Sequence, residues 1–197
     1  MSTRYLGHRV GQIEATYQVE APVETAWEVF SRFDEMSLYV PRLLYSKRLG
    51  LLPALEIIKS QPKEFEEAMA IVQKYSMRPD EPTIATTATP RVLYILQRFD
   101  FPWPLSNQWT LSESLEEIDP SGPVFQLSRQ SVAGSLTDEK GRWTFRPSPL
   151  NPEGTEIYYL AISDPGFWIP PIIFNPSAKA TTRQMMNAIR KRIEATR

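Results

Sequence analysis

From residue 91 to the C-terminus the chain reads as strand-length blocks with turn sequences between them, closed by one long amphipathic helix. That order restricts the possible folds more than any other feature of the sequence. The blocks are 91–101, 108–118, 124–133, 141–146 and 155–163. Asp119-Pro-Ser-Gly122, Asp138-Glu-Lys-Gly141 and Asn151-Pro-Glu-Gly154 separate successive blocks, each a sound turn sequence. Short turns join neighbouring antiparallel strands, so these blocks predict a meander. The helix that follows, over 176–195, gathers Met185 or Met186, Ile189 and Ile193 on one side and Arg183, Arg190, Lys191 and Arg192 around the other. A curved sheet with one face to cover and one long helix to cover it is an α+β arrangement.

Upstream, residues 13–20 alternate large apolar and polar side chains and stop at Ala21-Pro22, which predicts a half-buried strand. A helix should follow at once, because Pro22 suits a first turn and Val23, Ala26, Trp27 and Phe30 recur on one face. A second short helical piece over 33–39 would be capped by Asp34 or Ser37. The pattern of 61–77 predicts an amphipathic helix with Phe65, Met69 and Val72 as its stripe, and 83–90 reads as strand or loop. The whole stretch 51–88 reads as a helical insertion, with Leu49, Leu51 and Leu52 either a docking surface or a further layer of core.

Composition then removes function classes. With 197 residues, 42% of them apolar, the chain can bury a substantial core as a single domain over 1–197. Lys plus Arg is 22 against 23 Asp plus Glu, so there is no cationic excess for a nucleic acid or an anionic membrane, and any membrane contact is expected to be transient at most. The absence of Cys and a single His, His8, leave no thiolate chemistry, no His-based catalysis and no ordinary metal site. Residues 1–12 do not form a secretory signal, and the longest charge-free apolar stretch, 165–178, is interrupted by four prolines. It also falls short of the roughly 18 residues a spanning helix needs, so a soluble, cytoplasmic protein is expected. No nucleotide-binding glycine motif or nucleophile elbow is present. No cofactor is expected, and binding without turnover is the first expectation.

Two segments carry a family resemblance. One is Phe99-Asp-Phe-Pro-Trp-Pro-Leu-Ser-Asn107 leading into the block from Gln108. The other joins Gly141-Arg-Trp143 and the block 155–163 to Asp164-Pro-Gly166, Ile169-Pro170 and a terminal helix. With the opening Ala21-Pro-Val-Glu-Thr-Ala-Trp27 they resemble the START lipid-transfer domains of the SRPBCC superfamily, which also holds polyketide cyclases and birch-pollen-allergen-like proteins. The sequence departs from that pattern at Gln108-Trp109, where charged residues are usual, and in the 51–88 insertion.

The resemblance implies a helix-grip fold, a curved antiparallel sheet wrapped around the C-terminal helix, with a hydrophobic cavity between them as the binding site. It implies binding, and possibly transfer, of a lipid or other hydrophobic small molecule; the alternative is a polyketide cyclase or aromatase-like enzyme in which Tyr94, Arg98, Arg129 or Asp100 moves a proton. The candidate wall from the terminal segment is Phe167, Trp168, Ile172, Phe174, Met185, Met186 and Ile189, all of which would serve equally as helix-to-sheet core. Tyr94, Arg98 and Arg129 are candidate polar groups to orient a guest, or else partners of surface carboxylates. Both faces of 91–101 are partly apolar, so periodicity does not say which is inside. Trp103 and Leu105 are candidates for a lid.

Overall fold

The structure is a computed structural model that describes residues 1–7, 10–76, 90–101, 107–119, 122–136, 138–164 and 168–196. Its strands are β1 (Ser2–Gly7), β2 (Val10–Val19), β3 (Leu43–Leu49), β4 (Arg91–Phe99), β5 (Gln108–Ile118), β6 (Phe125–Gly134), β7 (Asp138–Pro147) and β8 (Thr155–Asp164). They make one antiparallel sheet in the order β1-β2-β8-β7-β6-β5-β4-β3. Strands β4 to β8 are sequential neighbours, which is the expected meander. The β2 strand inserts beside β8 and carries β1 to one edge, while β3 forms the other.

Helix α1 (Val23–Phe30) starts behind Pro22 and buries Val23, Ala26, Trp27, Val29 and Phe30 against the inner face of the sheet. There Trp27 stacks on Phe125 at 5.4 Å and meets Phe145 edge-on at 5.3 Å, while Phe30 lies 4.8 Å from Trp143. Aromatic contacts of this kind add to area burial and lock one end of the inner face as solid core. A short 3₁₀ helix (Phe33–Leu38) adds Phe33 and Met36. Helix α4 (Pro171–Glu194) crosses the same face with Thr182, Met186, Ile189 and Ile193 buried.

The 51–88 stretch provides α2 (Leu51–Ser60) and α3 (Phe65–Ser76), which cover the opposite, outer face. Ala54, Ile57, Phe65, Ala68 and Val72 pack there on Leu96, Trp109, Leu111 and Ala133 as a second core. This is an added layer of core, with Leu49 inside it and Leu51 and Leu52 exposed. It also explains why β4 showed no clear alternation. Leu93, Ile95, Gln97 and Phe99 face α4, while Tyr94, Leu96 and Arg98 face α2 and α3, so both faces carry apolar side chains.

Three expectations need correction. Asp138-Glu-Lys-Gly141 is the start of β7 and not a turn; the chain bends earlier, at Ser135 and Leu136, and the buried charge of Glu139 imitated a turn signal. Helix α4 begins at Pro171, so Pro176 lies inside it. A proline there has no N–H for the Ile172 carbonyl and leaves the preceding turn less tightly held. Strands β1 and β3 add two edges that the sequence pattern does not predict, because Arg4, Lys47 and Arg48 deny them a clean apolar period. No described helix is long and apolar enough to cross a membrane.

Candidate functional site

The inner face is not filled along its whole length. Where α4 presents Ser177, Ala178, Thr181 and Thr182, its side chains are too short to reach the sheet, and a pocket of about 150 Å³ lies between them and β2, β6, β7 and β8. Its remaining walls are mostly apolar: Ile13, Phe99, Phe101, Leu136, Ala161, Ile169, Ile173, Phe174 and Met185. A smaller space of about 50 Å³ adjoins it toward α1 and shares Phe99, Arg129, Tyr159 and Met185 with it. For scale, about 150 Å³ of apolar space holds a benzene-sized body.

At one end Phe174 folds over Gly11. A Cβ on residue 11 would fall 2.1 Å from the Phe174 ring, so only glycine permits this approach. Phe174 comes from the segment of α4 ahead of Pro176, and the wall it forms depends on how that first stretch of helix lies.

The polar part of the wall is a buried ion pair. Arg129 on β6 donates from Nη2 to Glu139 on β7, and from Nη1 to Gln97 Oε1 at 3.0 Å. Gln97 in turn donates to Ser46 Oγ at 3.3 Å, which fixes its amide. Arg129 stands opposite Gly141 in the β6–β7 register, so Glu139 is its diagonal neighbour. A Cβ on Gly141 would lie 3.2 Å from Arg129 Nε, and its absence lets the guanidinium lie across β7 toward Glu139. Burial alone would depress the Arg129 pKa, but the Glu139 charge, the neighbouring Tyr159 and the hydrogen bond to Glu139 together outweigh it and the net shift is upward. Tyr159 beside the pair is pushed up to about 12, chiefly by burial, with the Arg129 charge opposing. Arg129 Nε and Glu139 Oε2 have no hydrogen-bond partner among the described residues. Nε lies against Gly141, whereas Oε2 is an acceptor on a carboxylate that lines the pocket. No group of three or more His, Asp or Glu side chains is arranged to hold a metal among the described residues.

The expected site residues divide. The structure brings Arg129, Met185 and, in the smaller space, Ile189 together with Phe174. Met186 is buried core outside both linings. Tyr94 and Arg98 point to the other side of the sheet, where Tyr94 donates to Glu113 at 3.1 Å and Arg98 pairs with Glu66 at 3.0 Å. A guest in this pocket does not reach them. Trp168 and Ile172 are 60% and 83% exposed and do not line the pocket. Trp103, Leu105 and Phe167 lie outside the described residues. Sequence reasoning missed Glu139, hidden in an apparent turn, and Tyr159 in a continuous apolar strand. The small-residue stripe at Ser177, Ala178, Thr181 and Thr182 has helical spacing and was a legible signal.

A curved antiparallel sheet closed by a long C-terminal helix, with a pocket between them, defines the helix-grip class. The chain belongs to the polyketide cyclase/dehydrase and lipid transport family, whose model matches residues 19–190. Among solved structures it is similar to a STAR-related lipid transfer protein from Xanthomonas axonopodis, at a TM-score of 0.65 and 16% identity over 96% of this chain and 89% of that one. It is also similar to the Zhui aromatase/cyclase of a Streptomyces species, at 0.56 and 14% over 94% of each chain. A human lipid transfer and protein localization domain aligns at 0.54 and 12% over 94% of this chain and 76% of that one. No curated protein matches the sequence. The family match lies within the wider group expected from the sequence, and the solved structures show the helix-grip fold that the resemblance implied.

Proposed function

We propose that the protein, a single ligand-binding domain over 1–197 acting in the cytoplasm, binds a small hydrophobic molecule in the pocket between α4 and the sheet. The guest we infer is neutral and carries a hydroxyl group that donates to the Glu139 carboxylate, whose buried Oε2 has to turn toward the pocket to accept it. The observation that carries this reading is a buried Arg129–Glu139 pair in the wall of an otherwise apolar pocket, with one carboxylate oxygen lacking a donor. A buried ion pair costs desolvation, and a structural core position would be filled more stably by apolar side chains, so its place beside open space favours a recognition role. Because Arg129 is already neutralised by Glu139, an anionic guest would meet the carboxylate as well, which favours a neutral polar group. About 150 Å³ suits a ring-sized body. A chain of roughly 16 carbons would gain about 13 kcal/mol on leaving water, but only part of it fits unless α4 shifts.

Thermal denaturation with matched guests tests this. An aromatic alcohol at 100 times its Kd stabilises by about 2.7 kcal/mol. The same ring bearing a carboxylate should shift the melting temperature far less. Equal stabilisation by the acid, or none by any apolar guest, contradicts the reading.

A cyclase-like reading is favoured by one observation, the convergence of Arg129, Glu139 and Tyr159 on one wall. An arginine held charged and a tyrosine pushed up to about 12 are poor proton shuttles near neutral pH, so this reading ranks second. It predicts turnover of an aromatic or polyketide substrate that Tyr159→Phe abolishes while binding persists.

A further inference from the structure

The two spaces between α4 and the sheet are unequal, and their linings differ. Helix α4 presents Ser177, Ala178, Thr181 and Thr182 to the larger one and Ile189 to the smaller, and Met185 belongs to both. The smaller space, about 50 Å³, is bounded by apolar side chains that include Phe33, Val40, Leu43, Ile95 and Leu127. Its polar neighbour Gln97 is already engaged, accepting from Arg129 at 3.0 Å and donating to Ser46 at 3.3 Å. Holding one water takes about 10–15 Å³ of such space, so about 50 Å³ accepts a short alkyl group but no ring. Arg129 lies in both linings, whereas its partner Glu139 lies in the larger alone. The charged pair therefore stands where the two spaces meet, with apolar room on either side of it.

We propose that the guest is a chiral secondary alcohol, with a ring-sized group in the larger space, a short alkyl group in the smaller, and its hydroxyl between them at the Arg129–Glu139 pair. This rests on the reading that a hydroxyl-bearing guest binds there, and it adds what stands on the far side of that hydroxyl. Met185 permits the arrangement, because its unbranched thioether chain can turn aside where the two groups join. A primary alcohol would leave the smaller space empty and forfeit its contacts. With the ring, the alkyl group and the hydroxyl all placed, the two mirror images differ in which flank of the junction receives the carbinol hydrogen. Those flanks are not alike. In the strand order Tyr159 on β8 and Phe99 on β4 lie on opposite sides of Arg129 on β6. The Tyr159 ring is held 4.2 Å from Trp143, and the Phe99 ring stacks on Phe101 at 5.1 Å. One hand fits all three places, and the other has to withdraw its alkyl group or its hydroxyl.

Isothermal titration calorimetry of the full chain with benzyl alcohol and with each hand of 1-phenylethanol and 1-phenylpropan-1-ol tests this. Each carbon buried in the smaller space should tighten binding by about fourfold. The preferred hand should thus bind about fourfold more tightly than benzyl alcohol with a methyl group and about 15-fold more tightly with an ethyl group, and the other hand should gain nothing. Ile189→Phe places three more carbons in the smaller space and should erase both the gain and the preference while leaving benzyl alcohol affinity unchanged. Val40→Leu, a milder filling, should erase the advantage of ethyl over methyl; circular dichroism checks that both variants fold. Equal affinity for the two hands in the wild type, no gain from the alkyl group, or a gain that survives both fillings overturns the proposal. Benzyl alcohol separates the two readings: if it binds and the hands are not distinguished, only this proposal falls, whereas a wild type that takes up none of the alcohols overturns both.

Discussion

Replacing Glu139 by Gln removes one charge from the pocket wall with almost no change in shape. The Arg129 and Glu139 side chains are only 14% and 10% exposed, so the guanidinium would remain in an apolar setting with only neutral amide oxygens, the introduced one and that of Gln97, to accept from it. Breaking a buried pair by removing one partner costs about 3–5 kcal/mol, because the surviving charge is uncompensated. For a chain of this size each kcal/mol moves the melting temperature by about 2–4 °C, so Glu139→Gln should melt about 6–20 °C below wild type. Urea denaturation followed by tryptophan fluorescence gives the free energy directly. Removing both charges, as Arg129→Met with Glu139→Leu, should recover most of the loss, since apolar side chains of similar volume replace a buried pair at little cost. A Glu139→Gln loss below about 1 kcal/mol would place the pair in solvent and refute the reasoning, since exposed pairs contribute no more than that.

Gly11→Ala should destabilise by about 1–3 kcal/mol, because its Cβ would overlap the Phe174 ring. Combining it with Phe174→Ala should be markedly non-additive in a double-mutant cycle, and additivity would show that the two residues do not touch. Ile57→Ala in the outer layer should cost about 2–5 kcal/mol in chemical denaturation yet leave guest affinity unchanged, since this fully buried side chain serves the core remote from the pocket. Burial raises Tyr159 from 10.0 to about 12, so the folded state holds its proton where the unfolded state has lost it. That stabilisation is fully present below pH 10 and is lost as pH rises toward 12, at up to about 2.7 kcal/mol for a two-unit shift. Absorbance at alkaline pH should show Tyr159 ionising only with unfolding, a transition that Tyr159→Phe makes shallower.

The strands from 91 onward were legible because most run between turn sequences, and α1 because Trp27 and Phe30 share its buried face. The two-sided burial of β4 was not, since a strand covered on both faces loses the period of two that locates the core. Tyr94 and Arg98 read as candidate pocket groups for that reason, and only the α2–α3 layer shows that they belong to the outer face. Arg129 was legible as a polar residue within a strand, but its partner was not. Glu139 sits between Asp138 and Lys140, where three charged residues look like a solvated turn, and only the register of β6 on β7 brings it to Arg129. Large side chains drew attention on α4, whereas open space requires small ones, and Ser177, Ala178, Thr181 and Thr182 provide it.

Native mass spectrometry of the protein purified from cells, alongside the Ala178→Leu variant, addresses the central claim most directly. A leucine at 178 places three more carbons in a pocket of about 150 Å³. The account predicts a wild-type species carrying an apolar guest, with a bare variant of equal or greater stability. A wild type that retains no guest and takes up none from a panel of apolar alcohols, or a variant that carries the same guest at the same occupancy, would contradict it.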